Sequence, residues 1–322
     1  NTLDKGEFEH FMLKEIYEQP LLVKNALRYY FEGEGLSKLQ MLEKYRGRRM
    51  HIIACGTAWH AGLLIRNYLE KYHKVPANIE LASEFRYKNP LVFSDDVGIF
   101  ISQSGETADT IAAQQLCKAK GMSTISIVNV PESTLYRYCD DNFLINAGPE
   151  IGVASTKAFT MQVVTGYLVA LALGGNLNES LVRKEVAELG NKLTDLLRNV
   201  ESIKEIASNL YMKKGFIFTG RGKYFPIALE GALKLKEIAY VHAEGYAAGE
   251  LKHGPIALID ENMVNIALVG PELFEKTFSN LEEVKARRGI ILSVAPRKPE
   301  ELGNVIQVKS DYSILLDVRD SS

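Results

Sequence analysis

The sequence predicts an α/β protein built from two similar, doubly wound parallel-sheet domains. Short apolar runs that suit buried strands alternate with helical stretches, which is typical of a parallel sheet covered by helices on both faces. This pattern occurs twice, and three matched strand segments are offset by 164, 166 and 168 residues. The matched segments start at Ile52 and Phe216, at Val97 and Met263, and at Gly121 and Gly289. Offsets this constant indicate an internal duplication.

The composition is that of a globular protein of about two domains. The 322 residues are 46% hydrophobic and 24% charged, and 38 basic against 40 acidic side chains give a net charge of −2. Since nucleic-acid binders and membrane-surface binders carry a basic excess, neither kind of partner is expected. Cys55, Cys117 and Cys139 have no metal-ligand spacing, so no metal is expected and a reducing, cytoplasmic setting fits best.

No segment has the pattern of a membrane span or a targeting signal. The longest apolar run, residues 163–173, is shorter than the ~20 residues that a membrane helix needs. The chain begins with Asn1 rather than Met, so we expect it to be a piece of a longer protein.

Three segments are expected along the chain. Helical patterns on either side of Pro20, at 8–19 and 21–31, predict an N-terminal helical extension over residues 1–44. The first α/β domain then covers 45–178 and ends in a glycine- and asparagine-rich stretch at 174–178. The second domain covers 179–322 and opens with a charged helical segment at 181–211.

The most informative stretch follows the predicted strand at 97–101. It has the sequence Ser102-Gln103-Ser104-Gly105-Glu106-Thr107 and leads into a predicted helix that starts at 108. A helix start offers unpaired backbone N–H groups and the positive end of the helix dipole, so it favours a phosphate group. Any single hydroxyl here also suits ordinary helix capping, but the dense cluster favours a phosphate-binding loop.

Two further polar residues are predicted at the same edge of the sheet. Thr57 and Asn129 follow other predicted strands, and ligands of parallel sheets bind at the carboxyl ends of the strands. A glycine- and hydroxyl-bearing loop at 152–157, which leads into a helix at 158–173, is a second candidate for wrapping a polar ligand. Lys157 is a candidate for neutralising a phosphate, although exposed loop lysines are common.

The second domain carries different chemistry on its first helix. Glu230, Lys234 and Glu237 are spaced four and three residues apart, which puts them on one helix face. Periodicity alone favours an ion pair on a solvated face over a catalytic group. A small-residue loop at 247–255 presents His253, the side chain type best suited to proton transfer near neutral pH. His242 lies in a stretch predicted to be helical and is expected to be structural.

Phosphate-binding loops combined with a carboxylate and a histidine favour acid–base chemistry on a phosphorylated small molecule. Aldose–ketose isomerisation needs such a set, because a histidine opens the sugar ring and a carboxylate moves a proton between neighbouring carbons. Serine hydrolase chemistry fits less well, since the chain has no G-x-S-x-G motif. G-x-G-x-x-G is also absent after every predicted strand, so no dinucleotide or other cofactor is expected.

Long segments of the sequence resemble one family. Residues 102–110, 150–160, 220–240 and 242–260 closely resemble the isomerase half of the glutamine–fructose-6-phosphate aminotransferases, also called glucosamine-6-phosphate synthases. The resemblance runs from the Lys14-Glu15-Ile16-Tyr17-Glu18-Gln19-Pro20 segment to about residue 307. It implies two sugar isomerase (SIS) domains and the synthesis of glucosamine 6-phosphate from fructose 6-phosphate and ammonia, which a glutaminase half releases from glutamine.

Site residues follow from the resemblance by matching motif. It implies contacts to the sugar phosphate from five residues of the first domain, Thr57, Ser102, Gln103, Ser104 and Thr107. It also implies that Val153 and Ser155 line the sugar. Glu237 is implied as the base for the C1 and C2 proton, with Lys234 and Glu230 beside it. His253 is implied for ring opening and is supplied by the neighbouring subunit, so a homodimer is expected.

Two departures from the family pattern bear on activity. Ala58 stands where the family usually has serine, so one phosphate hydroxyl is missing. The family ends in a tail whose lysine forms a Schiff base with the sugar, whereas this chain ends at 311–322 without that motif. The glutaminase half is also outside the sequence. We therefore expect substrate binding with poor turnover, and keep two alternatives: a stand-alone amino-sugar-phosphate deaminase or deglycase, and a non-catalytic sugar-phosphate sensor.

Overall fold

The computed structural model describes residues 4–298 and 309–316 and divides the chain into two compact units. Unit 1 covers residues 1–193 and unit 2 covers residues 194–322. Residues 317–322, part of the chain end compared with the family tail, lie outside the described residues.

Unit 1 contains five strands and eight α-helices within its described residues. The strands are β1 (Met50–Ala54), β2 (Ala77–Leu81), β3 (Val97–Ser102), β4 (Ser123–Val128) and β5 (Asp141–Leu144). The helices are α1 (Phe11–Glu32), α2 (Gly35–Met41), α3 (Gly56–Tyr68), α4 (Ala82–Phe85), α5 (Ala108–Ala119), α6 (Thr134–Tyr138), α7 (Lys157–Leu173) and α8 (Glu179–Arg198). A 3₁₀ turn follows α2 at Leu42–Tyr45, and a π turn extends α3 over Leu69–His73. The last five residues of α8 belong to unit 2.

The sheet of unit 1 is parallel throughout, with strand order β2-β1-β3-β4-β5. Its strands are buried on both faces, which explains their nearly continuous apolar sequences. Side chains alternate between two cores: Ile52 and Ile99 pack with α1, α3 and α7, whereas Ile53 and Phe100 pack with α4, α5 and α6. The carboxyl ends of β1 and β3 therefore open at one edge, between helices that start there.

Unit 2 repeats this arrangement. Its strands are β6 (Gly215–Gly220), β7 (His242–Ala247), β8 (Met263–Leu268), β9 (Ile290–Ala295) and β10 (Tyr312–Leu315). Its helices are α9 (Glu201–Leu210), α10 (Tyr224–Ala239) and α11 (Phe274–Ala286), with 3₁₀ turns at Ala248–His253 and Pro255–Leu258. The parallel order β7-β6-β8-β9-β10 corresponds strand for strand to the order in unit 1. The prediction of two duplicated doubly wound α/β domains is confirmed.

The charged segment predicted to be helical at 181–211 is helical and forms two helices, α8 and α9. Two local predictions are wrong. The helices predicted on either side of Pro20 form one helix, α1; Pro20 has no N–H to donate to the Ile16 carbonyl, and the Gln19 side chain donates a hydrogen bond of 3.0 Å there instead. His242 begins strand β7 and is not helical, since Tyr240 adopts a left-handed conformation with φ of 54° and ends α10.

Within the described residues, no helix is both long and apolar enough to cross a membrane.

Candidate functional site

A polar cavity of about 380 Å³ opens at the carboxyl ends of β1 and β3 in unit 1. All seven residues predicted to bind substrate line it: Thr57, Ser102, Gln103, Ser104, Thr107, Val153 and Ser155. They come from three segments that are far apart in sequence and meet because parallel strands end at a common edge. Other lining residues are Cys55, Ala58, Ile101, Glu150, Gly152 and Gln162.

The loop at 102–107 is held by its own hydroxyl groups. The Ser102 and Thr107 hydroxyl oxygens lie 2.8 Å apart, and the Ser102 oxygen accepts a hydrogen bond of 3.1 Å from the Gly105 backbone N–H. The Ser104 oxygen accepts a further bond of 3.1 Å from the Glu106 N–H. These contacts close the loop over the start of α5, where the backbone donors and the dipole favour an anion.

Gly105 is required by the geometry of this loop. Its φ is +67°, and a Cβ atom at this position would lie 2.0 Å from the Ser133 hydroxyl oxygen. Glu106 anchors the next residue, since its carboxylate accepts hydrogen bonds of 2.8 and 2.7 Å from the Thr134 N–H and hydroxyl group. Those hydrogen bonds lower the pKa of the Glu106 carboxyl below its ordinary value. The loop is therefore tied to α6 as well as to itself.

Two other helices begin beside the cavity. Cys55, Thr57 and Ala58 line it at the start of α3, and Ser155 lines it two residues before α7. Glu150 caps α7, because its Oε2 accepts hydrogen bonds from the backbone N–H groups of Thr156 (3.0 Å) and Ala158 (3.2 Å). The cavity is thus bordered by the first turn of α3 and by the residues just before α5 and α7, and the backbone donors at the start of α7 are taken by Glu150. The starts of α3 and α5 are the ones that suit a phosphorylated ligand.

Lys157, a candidate from sequence for neutralising a phosphate, is not an exposed loop lysine. Its side chain is buried, and its Nζ lies 2.6 Å from Glu18 Oε2 on α1. A buried lysine must pair with a carboxylate, and the partner here is 139 residues away in sequence. Sequence spacing could not have revealed this pair.

The predicted carboxylate pair in unit 2 is present on α10. Lys234 Nζ lies 3.2 Å from Glu230 Oε1 and 2.7 Å from Glu237 Oε2. The second contact is an ion pair rather than a directed hydrogen bond, since Glu237 Oε2 accepts no hydrogen bond among the described residues. Side-chain exposure rises from 7% at Glu230 to 33% at Glu237, so Glu237 is the member of the set that solvent or a ligand can reach.

The two histidines of unit 2 occupy different settings. His253 is exposed and ends the 3₁₀ turn at Ala248–His253, where Gly254 follows with φ of 133°. His242 lies at the edge strand β7, with its Nε2 3.6 Å from Glu244 Oε1. Of the two, only His253 lies in a loop next to a glycine that permits an unusual backbone path.

Two polar residues of the cavity have no role assigned by the sequence. Glu150 both lines the cavity and caps α7. Gln162 is 1% exposed, and its Oε1 accepts no hydrogen bond among the described residues. A glutamine in the second turn of an apolar helix carries no sequence signal of its own, and only the fold shows that it reaches the cavity.

Two of the three cysteines, Cys117 and Cys139, are buried away from the cavity and give no sign of nucleophilic chemistry. Burial raises the pKa of the Cys117 and Cys139 thiols to about 12, so both are protonated at neutral pH. Among the residues that the structure describes, no group of three or more His, Cys, Asp or Glu side chains is placed to hold a metal ion.

Comparisons with known proteins match both the fold and the sequence. The SIS domain family model matches residues 45–172 and 209–318. The C-terminal domain of glucosamine–fructose-6-phosphate aminotransferase from Francisella tularensis is 40% identical, covers 98% of this chain and 91% of its own, and superimposes with a TM-score of 0.89.

Two longer relatives are similar over nearly the whole chain. Isomerizing glutamine–fructose-6-phosphate aminotransferase of Chlorobaculum tepidum is 46% identical over 93% of this chain, and that of Clostridium tetani is 43% identical over 99%. The matches cover 51% and 55% of those proteins, so the chain spans about half their length. The chain therefore belongs to the SIS domain family and, within it, to the C-terminal isomerase domains of the glutamine–fructose-6-phosphate aminotransferases.

Proposed function

We propose that this chain binds fructose 6-phosphate and catalyses the proton transfer between its C1 and C2 that leads to the aldose product, glucosamine 6-phosphate when ammonia is supplied. The observation that carries the proposal is the cavity of unit 1, where a hydroxyl-rich loop lies beside the starts of α3 and α5. Such a site offers a phosphate both hydroxyl and backbone donors without a basic side chain.

The phosphate is assigned to the polar end of this cavity. Thr57, Ser102, Gln103, Ser104 and Thr107 contribute hydroxyl and amide groups there, and Val153 and Ser155 are assigned to the sugar. Val153 is 92% exposed, which suits an apolar side chain that a bound sugar would cover. The volume of about 380 Å³ is in the range of a small-molecule site.

Glu237 is proposed as the base that takes the proton from C1 and returns it to C2. Its partly exposed carboxylate is oriented by the Lys234 ammonium, which Glu230 fixes from the preceding turn. We assign ring opening to His253, whose imidazole is exposed on a loop and belongs to the family motif. In this scheme Lys234 and Glu230 are positioning residues for Glu237.

Further proposals concern the domains of the chain, the source of ammonia and the oligomeric state. We propose that residues 1–44 support the first SIS domain (45–178), which holds the phosphate, and that the second SIS domain (179–322) carries the base. Ammonia would come from a glutaminase half, as the sequence resemblance implies. A cytoplasmic homodimer, in which His253 serves the neighbouring subunit's site, completes the proposal.

The proposal is tested by hydrogen exchange in D₂O. Proton NMR follows the loss of the C1 hydrogen signal of fructose 6-phosphate in the presence of the protein. The parent chain is expected to catalyse exchange, and Glu237→Gln is expected to slow it about 10²- to 10⁴-fold while leaving fructose 6-phosphate affinity within about twofold. Glu244→Gln, which alters a carboxylate on β7, is the matched control and should exchange like the parent.

Two outcomes would contradict the proposal. Exchange by Glu237→Gln at the parental rate would remove this carboxylate from the reaction. Tight binding of fructose 6-phosphate without any exchange by the parent would favour a sugar-phosphate sensor over an enzyme.

A further inference from the structure

Helix α1 lies outside the residues that the SIS family model matches, yet its side chains reach a wall of the cavity. Glu15 Oε1 accepts hydrogen bonds from the backbone N–H groups of Ile151 (2.6 Å) and Gly152 (3.0 Å). One turn later, Glu18 and Gln19 contact the Lys157 ammonium (2.6 Å) and the Thr160 hydroxyl (2.5 Å). One turn of α1 thus contacts the chain from 151 to 160.

The Glu15 side chain is buried. Glu15 is 3% exposed, and burying a carboxylate is costly unless hydrogen bonds compensate for the lost water. Backbone donors of the 150–155 loop compensate Oε1, whereas Oε2 is buried and accepts no hydrogen bond among the described residues. Gly152 allows the close approach, since a Cβ atom there would lie 2.7 Å from Glu15 Oε2 and 3.3 Å from the Met12 Cα.

The loop that Glu15 holds has no regular secondary structure of its own. Residues 145–156 lie between β5 and α7 without helix or strand, although Glu150, Gly152, Val153 and Ser155 all line the cavity. At its start the Ile145 N–H donates to the Val128 carbonyl, and the Asn129 side chain bonds to the Ala147 N–H and the Gly148 carbonyl. Over 150–156 the segment is held by the Glu150 cap on α7 and by the two hydrogen bonds to Glu15.

We propose that Glu15 is a positioning residue for substrate binding: it sets the 150–155 loop so that Val153 and Ser155 face the sugar before the ligand arrives. The proposal rests on the proposed function for the identity of the sugar. Glu15 does not line the cavity, so its effect passes through the loop backbone. Preorganisation of this kind lowers the entropy lost on binding.

The phosphate side of the cavity provides an internal contrast. The loop at 102–107 is held by Ser102, Thr107 and the Glu106–Thr134 contacts. Since both hydrogen bonds that Glu15 Oε1 accepts come from the 150–155 loop, losing Glu15 should affect sugar recognition and spare phosphate recognition. A general loss of stability would weaken both.

The test compares Glu15→Ala with Glu15→Gln by calorimetric titration. For Glu15→Ala we expect the Kd of fructose 6-phosphate to rise about tenfold and the Kd of inorganic phosphate to stay within about twofold. Glu15→Gln keeps a carbonyl oxygen that accepts from both amides, so its fructose 6-phosphate affinity should stay within about threefold of the parent. Glu32→Ala, at the far end of α1, is the matched control and should leave both affinities unchanged.

Amide hydrogen exchange gives a readout that is independent of the sugar. In the unliganded protein, Glu15→Ala should speed exchange in the 150–156 segment and leave the 102–107 segment unchanged. Gly152→Ala, which crowds the same carboxylate, should reproduce this pattern in case Glu15→Ala fails to fold.

The results distinguish the positioning role of Glu15 from the proposed function. Unchanged exchange at 150–156, or an equal loss of fructose 6-phosphate and inorganic phosphate affinity in Glu15→Ala, would overturn the positioning role. If the parent binds inorganic phosphate but no fructose 6-phosphate, while Glu15→Ala still loosens the loop, the proposed function fails and only the structural part of this inference stands.

Discussion

At the scale of single residues, Ala58 lacks a hydroxyl group in the proposed phosphate site. It lies in the first turn of α3, lines the cavity and is 9% exposed. A serine occupies this position in the family pattern that the sequence resembles. The site of this chain therefore has one hydroxyl donor fewer at the start of a helix, where donors are most useful to an anion.

Restoring that hydroxyl should strengthen binding. We expect Ala58→Ser to tighten both inorganic phosphate and fructose 6-phosphate by about 3- to 10-fold, the usual effect of one added hydrogen bond to a charged ligand. Calorimetric titration measures this, with Ala119→Ser on the exposed end of α5 as the control. Weaker binding by Ala58→Ser would mean that the phosphate does not approach the first turn of α3.

The sequence predicted the location of the candidate site residues where a strand end or a helix start determines that location. The seven predicted substrate contacts meet in one cavity because each follows a strand end or precedes a helix start. Lys157 was misjudged because its partner, Glu18, is distant in sequence. Gln162 was missed because a buried amide within an apolar helix has no distinguishing pattern. The roles of the contacts themselves remain predictions.

At the scale of elements, the loop at 102–107 depends on one backbone conformation. Gly105 combines a positive φ of +67° with a close approach to Ser133. Gly47 has a similar φ of +79°, but a Cβ atom there would meet nothing within 4 Å. A side chain at Gly47 would cost free energy only through its left-handed backbone conformation. A side chain at Gly105 would add a steric clash to that cost.

Alanine at both positions provides the comparison. We expect Gly47→Ala to lower the free energy of unfolding by about 1–2 kcal/mol, the cost of a left-handed conformation. Gly105→Ala should lower it by about 2–4 kcal/mol, because the clash with Ser133 adds to that cost, and should also weaken inorganic phosphate binding. Urea denaturation and phosphate titration measure both effects. Equal destabilisation with intact phosphate binding would show that the 102–107 loop tolerates a side chain.

Sequence patterns predict the buried strands well and predict the short edge strands and the helix ends less well. The long apolar strands β1, β3, β6 and β8 were predicted because buried parallel strands have nearly continuous apolar sequences. The four-residue strands β5 and β10 at the sheet edges, and β7 at the other edge, are too short or too polar to show such a pattern. Pro20 suggested a helix end, yet the Gln19 side chain supplies the missing donor and α1 continues.

At the scale of the whole molecule, duplication has produced two units with the same strand order and different polar residues at their strand ends and helices. In unit 1 the third strand, β3, leads into a hydroxyl-rich loop at the cavity. In unit 2 the equivalent strand, β8, is followed by Gly270, where a Cβ atom would lie 2.1 Å from the Tyr224 ring. Unit 2 instead carries the Glu230, Lys234 and Glu237 set on α10. The proposed division is phosphate binding in one copy and proton transfer in the other.

The central claim is that the cavity of unit 1 holds the phosphate of a sugar phosphate. The most direct measurement is a calorimetric titration of the chain with fructose 6-phosphate, with and without saturating inorganic phosphate, and with fructose alone. We predict that fructose 6-phosphate binds one site per chain, that inorganic phosphate displaces it, and that fructose binds at least about 100-fold more weakly, because the charge-assisted hydrogen bonds are lost. Binding of fructose 6-phosphate that inorganic phosphate leaves unaffected, or equal affinity for fructose, would contradict the account.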